Sequence, residues 1–460
     1  VNAVLTLSTG PMRAGQSAGT GARRFMTPTA LAVLAFAVMT AFALSVVGGL
    51  LGFMGRAENP TSLVMKSLAP NYVLLAWVAV VLLLVPLLAL GGAAARLGVA
   101  RRDARLSTLR LLGVTPREVV GITVIETARQ GLVGAALGFL GYLLLLPVWT
   151  RIPFMDEPFS AGELWVGPLP VLVALVAVPL LAAVSGTISL RRVVISPLGV
   201  ARRETPPGMK WVRALAVVVA LGVFLVFTQV NMGLDGAVVI AVMLGMIAAV
   251  FGTINLLGPW TISVLARVMV RRASTPAKLL AARRLLGDPK GAWRVVGGLG
   301  LASFVAGVLS VLPALSAASG DMNSNEDKLL MTDLVTGGLL TLGIAFTVAA
   351  CSAGIMQAAS VLDRRREYAL QQLAGVPVEL FDQVRRREVA APLVFVAGTS
   401  ALVALVVLLP LFGMALVTAP QGLIALAVCL TVGCLLVLAA SETSRPLLRS
   451  VLGETVVRAD

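Results

Sequence analysis

No histidine occurs anywhere in this chain, which removes the commonest general base, proton shuttle and transition-metal ligand. Cysteine is nearly as scarce. Cys351, Cys429 and Cys434 all lie in apolar runs, which favours buried thiols over a disulfide or metal framework. Cys429 and Cys434 also lack the C-x-x-C spacing of a redox or metal site. No G-x-x-x-x-G-K-[ST] stretch is present, so the chain carries no phosphate loop of that kind for ATP. Charged residues make up only 13% of the chain, about half the share in soluble domains. What replaces them is apolar: 58% of the residues, with a mean hydropathy of +0.95. No catalytic residue, metal site or cofactor is expected.

Several apolar runs approach or exceed the ~20 residues that cross a bilayer core. They lack period-2 alternation, so helices are expected rather than a barrel. The reading is an all-α polytopic membrane protein with about ten transmembrane helices, near 29–54, 71–95, 119–148, 165–190, 212–230, 235–257, 294–316, 333–360, 389–417 and 421–441. The first run starts only near Thr29 and is long enough to span, so a cleaved signal peptide is not expected.

The net charge of +15 could suggest nucleic acid as a partner, but its placement points to membrane orientation. Nearly all Arg and Lys fall before span 1, after span 10, or in the even-numbered connections; on the other side only Arg56, Lys66, Arg151 and Lys328 are found. Both termini are therefore expected in the cytoplasm. The outer loops carry carboxylates, with Asp321, Glu326, Asp327 and Asp333 as candidates for an outer rim. Residues 55–70, 149–164 and 317–332 are the longest outer loops, too short for a folded outer domain.

Two stretches repeat each other. Residues 101–126 and 363–388 align without a gap at Arg102/Arg364, Leu111/Leu373, Gly113/Gly375, Val114/Val376 and Glu126/Glu388. Each follows one apolar run and feeds another. The expected organisation is a cytoplasmic segment 1–28, a first four-helix unit 29–203, two linking helices within 204–266, and a second four-helix unit 267–460. Each repeated stretch reads as a short amphipathic elbow helix stopped by Gly113 or Gly375. Leu109 and Leu112 lie among Arg102 and Arg105 in the first, and Leu370 and Leu373 near Arg364 and Glu367 in the second. An interfacial helix on anionic membrane lipids is one reading. A protein-docking helix is the favoured one, since both units carry the device. Glu126 and Glu388 sit just inside the following spans and should be paired, because a bare carboxylate there is costly. Arg129 is a candidate partner for Glu126, and Arg385 for Glu388. These three, Glu126, Arg129 and Glu388, form the expected latch between elbow and span.

These residues resemble the FtsX-like permease family of ABC transporters. Its elbow follows R-x-x-E-x-x-x-L-x-x-x-G, with a glutamate near the start of the next helix. Arg364, Glu367, Gly375 and Glu388 match in the second unit, with Gln371 in place of the leucine; Arg102, Leu109, Gly113 and Glu126 match in the first, with Arg105 in place of the acid. The exit segment 196–203, SPLGVARR, is similar too. The resemblance implies two FtsX-like repeats joined by two extra helices, in a type VII permease like the macrolide-exporter and bacitracin types but without their large outer domain. It implies a multi-pass protein of a bacterial cytoplasmic membrane, working with two copies of a separate ATPase that hold ATP and magnesium. It further implies export of an amphiphilic compound through an outward cleft lined by spans 1, 2, 7 and 8. The carboxylates at the cleft's rim lean toward a cationic amphiphile. Two other readings stand beside it: a proton-coupled secondary transporter using Glu126 and Glu388, and a non-transporting sensor that signals to a two-component kinase.

Overall fold

The computed structural model describes residues 28–60, 63–100, 116–194, 236–309, 325–418, 420–442 and 445. In chain order these form α1 (Pro28–Glu58), α2 (Leu63–Ala100), α3 (Pro116–Trp149), the two-residue strands β1 (Pro153–Phe154) and β2 (Glu157–Pro158), and α4 (Pro168–Val194). Then come α5 (Gly236–Arg271), α6 (Pro276–Gly287), α7 (Pro289–Leu309), α8 (Asn325–Asp363), α9 (Arg365–Leu373), α10 (Val378–Thr418) and α11 (Pro420–Glu442).

Among the described residues, six helices hold apolar stretches long enough to cross a membrane: Thr29–Glu58, Met65–Ala95, Val124–Trp149, Pro168–Thr187, Lys328–Val361 and Val378–Leu405. The chain is a multi-pass membrane protein built of helices. A shorter apolar stretch, Leu426–Glu442, lies on α11. The span expected at 212–230 lies outside the described residues, and those expected at 235–257 and 294–316 overlap α5 and α7. With 38, 39 and 41 residues, α2, α8 and α10 are longer than a membrane requires. At 1.5 Å per residue each runs to roughly 60 Å, about twice the hydrocarbon thickness. Their ends therefore project beyond it or tilt within it.

α1 packs on α2, α3 and α4, while α2 and α3 both reach α4. α7 packs on α8, α10 and α11, while α8 and α10 both reach α11. The two sets meet where α8 lies against α2 and α1, with α7 also touching α2. Small residues set how close the axes come. A methyl group on Gly138 of α3 would lie 2.6 Å from the Ala37 carbonyl oxygen of α1, so only a bare backbone fits. In the second set the close approach uses α7 instead, with Gly300 against Val396 and Gly307 against Ala404 of α10. One continuous apolar core joins both sets, from Phe36 and Leu90 through Leu299 and Phe346 to Leu393 and Val437.

Candidate functional site

Two features stand at opposite ends of the bundle. The first is a cavity of about 180 Å³ at the hairpin end. Its walls come from α1, α2 and α8, with Val305 of α7, and they are almost wholly apolar: Leu50, Leu75, Leu82, Leu334 and Ile344 among them. Phe154 and Phe159, from the connection between α3 and α4, line it as well.

That connection is held in place at three points. Arg56 of α1, only 5% exposed, spreads its guanidinium over the backbone carbonyls of Phe154 (2.8 Å), Glu157 (3.2 Å) and Pro158 (3.0 Å). Its Nε meets the Glu163 carboxylate at 2.9 Å, and the group lies 3.9 Å over the Phe159 ring. A planar fork of five donors suits this convergence of oxygens. Burial works against charge on Glu163, but hydrogen bonds from Arg56 and Ser160 and the attraction of Arg56 outweigh it. The carboxyl is held below its ordinary range. At the second point, the Tyr142 hydroxyl of α3 donates to the Leu164 carbonyl (2.5 Å) and accepts from the Val166 N–H (3.3 Å).

The third point is Asp333. This outer-rim candidate lies within α8, which already begins at Asn325, with 7% of its surface exposed. Its Oδ2 accepts from the Tyr72 hydroxyl of α2 and from the Met155 N–H, both at 2.6 Å. Met155 and Asp156 both have positive φ, 57° and 63°, and connect paired strands, as in a type I′ turn. Asp156 suits such a position but Met155 does not, and with no glycine or asparagine at the turn no hairpin is legible in 153–158. Of the other rim candidates, Glu326 accepts from the Ser67 hydroxyl at 3.2 Å, while Asp321 and the side chain of Asp327 lie outside the described residues.

The second feature is the elbow. α9 ends at Leu373, and Gly375 follows with φ +84°. The Val376 N–H reaches the Gln371 carbonyl at 3.1 Å and the Gly375 N–H reaches that of Gln372 at 2.9 Å, so the glycine closes the helix in a Schellman pattern. The helix's apolar residues divide. Tyr368 is buried edge-on against Phe381, whereas Leu370 and Leu373 are 59% and 77% exposed. Glu367 is exposed as well. Glu388 on α10 faces Arg364 at 3.2 Å and Arg284 of α6 at 3.8 Å. Arg284 also lies 5.1 Å from the Tyr368 ring.

Arg385, a candidate partner for Glu388, also has partners elsewhere. Arg385 points to the end of α11, where it donates to the Ser441 carbonyl (2.9 Å) and meets Glu442 (3.0 Å). Asp382 bridges Arg445 at 3.1 Å in the same network. The first elbow, with Arg102, Arg105, Leu109, Leu112 and Gly113, lies outside the described residues. On α3, Glu126 is half-buried and Arg129 exposed.

Residues 77–198 match the model of the FtsX-like permease C-terminal family. The match runs from α2 through the first elbow to just beyond α4, and it supports the FtsX-like permease family and a permease role in an ABC transporter. Members of that family typically work with an ATPase partner. No curated protein and no solved structure matches the chain.

Proposed function

We propose that this chain is the membrane permease of a type VII ABC transporter, with two FtsX-like units, 29–203 and 267–460, joined by linking helices in a ten-span bundle. The observation that carries the reading is the family match over 77–198 in a chain without the G-x-x-x-x-G-K-[ST] phosphate loop. ATP and magnesium then belong to a separate ATPase. The recurring helix neighbours in the two sets support the duplication. The arginine-rich elbow end, with both termini, faces the cytoplasm of a bacterial membrane.

Two ATPase subunits dock, one per elbow. Exposed Leu370 and Leu373 beside Glu367 give the second elbow an apolar contact with a charged edge. Glu388 ties the elbow's Arg364 and α6's Arg284 to α10, so a push on α9 reaches a helix that runs the depth of the membrane. Closure of the ATPase pair drives α2 toward α8 and squeezes the cavity between α1, α2 and α8. The substrate is an amphiphile taken from the membrane and exported. Residues 101–115 complete the first contact.

The test is co-purification of the tagged full chain with its ATPase, followed by ATP turnover in nanodiscs. Leu370→Asp with Leu373→Asp should leave the fold intact and lower ATPase capture at least tenfold. Vesicle transport driven by a proton gradient without ATP would sink the reading.

A further inference from the structure

The three clamps on the hairpin are not equivalent. Arg56 and Tyr142 belong to α1 and α3, which pack on each other, and they grip the hairpin's carbonyls and the segment that follows it. Asp333 belongs to α8, across the seam. When α1 to α4 shift against α8, the hairpin stays tied to α1 and α3, and of its three clamps the bond to Asp333 is the one that must break. Phe154 and Phe159, which line the cavity, then move relative to Leu334 and Ile344 of α8.

Asp333 is also the one carboxylate lining this cavity among the described residues. It has no ion-pair partner among them, and its hydrogen bonds come from two neutral donors, a phenol and a peptide N–H. A buried carboxylate in an apolar wall is costly, and a positive partner compensates it better than neutral donors do. Met155 offers its N–H only by holding a left-handed conformation that side chains disfavour. The turn is therefore a replaceable ligand of Asp333.

We infer that Asp333 is the gate and specificity residue of the cavity. It holds the hairpin 152–164 closed as a lid, and an alkylammonium head group displaces the Met155 N–H from it while the alkyl tail fills the apolar space. The inference rests on reading the cavity as the substrate cleft.

The experiment uses the full chain in nanodiscs without ATPase, and three probes with one dodecyl tail: dodecylammonium, dodecanol and dodecyl sulfate. Wild type should bind the ammonium probe at least tenfold more tightly than the neutral one, and the sulfate least. Hydrogen exchange in 152–164 should rise when the ammonium probe binds. Asp333→Asn should abolish the head-group preference and raise that exchange with no probe present. Tyr72→Phe keeps the carboxylate and should keep the preference, which guards against a folding defect in the first variant. Ala79→Phe, on the cavity wall, should weaken the ammonium and neutral probes alike. Equal binding of ammonium and neutral probes by wild type overturns the inference, as does an unchanged preference in Asp333→Asn. Either result with the ATPase still captured removes this inference alone. A preserved preference in a chain that captures no ATPase would leave the gate standing and remove the permease reading.

Discussion

Arg56 shows how much one side chain can organise in a membrane protein. It is the buried guanidinium on which three carbonyls and one carboxylate of the α3–α4 connection converge. Lysine would keep the charge but cannot spread across that set of oxygens. Arg56→Lys is expected to cost about 2 kcal/mol, within the usual range for losing hydrogen bonds to a charged group. It should speed hydrogen exchange in 152–164 while leaving exchange at α9 unchanged. Its partner Glu163 has a lowered pKa, so the pH effect has a definite sign. The stabilisation is complete above the ordinary carboxylate value of 4.5 and disappears as pH falls through the lower folded value. Melting temperature should therefore drop more steeply in wild type than in Glu163→Gln as pH falls below 4.5, and run parallel above it. Local spacing was an incomplete guide to residue partners. Arg385 is on the same helix as Glu388, one turn away, yet it also reaches the end of α11. Glu388 faces Arg364 and Arg284, which arrive from other elements. Only packing brings them together.

Helices were legible where apolar runs are long, as in α1 to α4, α8 and α10, because length and hydropathy alone decide them. The elbow helix α9 was legible from its glycine stop and its arginines. The hairpin was not: Asp156 suits a left-handed turn position, but Met155 beside it does not, and tertiary clamps hold the turn. The start of α8 was misplaced for a related reason. Glu326, Asp327 and Lys328 read as loop, but a helix can extend beyond the apolar core and keep its charges in water. Two substitutions test element geometry directly. Gly375→Ala forces a methyl group into φ +84° and should cost roughly 1–2 kcal/mol, fraying α9 and lowering ATPase capture without moving the hairpin. Gly138→Val drives a side chain into the α1 backbone and should cost about 1–3 kcal/mol or more, lowering the melting temperature of the whole bundle. If Gly375→Ala left α9 exchange and capture unchanged, the elbow's stop would be dispensable.

At the scale of the molecule, the two features lie at opposite ends of long helices. Glu388 secures α10 to the elbow, and Tyr72 with Asp333 secures α2 to α8 at the hairpin. α8 carries Asp333 at the hairpin and ends at Asp363, next to the elbow, so one continuous helix touches both ends. Substitutions far apart with no shared partner usually add in stability within about 0.5 kcal/mol. Glu388→Gln and Tyr72→Phe should obey that rule in thermal unfolding. Transport turnover is different, because the proposed stroke must pass through both contacts in sequence. If α8 carries the stroke, loss of the elbow tie leaves little for the seam bond to transmit. The double variant should then be barely slower than the worse single variant. A double-mutant cycle on ATP-driven transport, run beside one on melting temperature, makes the comparison. Additivity in both cycles would mean that the ends work independently and that α8 is not the lever between them. Additivity in stability with clear non-additivity in turnover is the outcome expected of a bundle in which one helix relays force from elbow to lid.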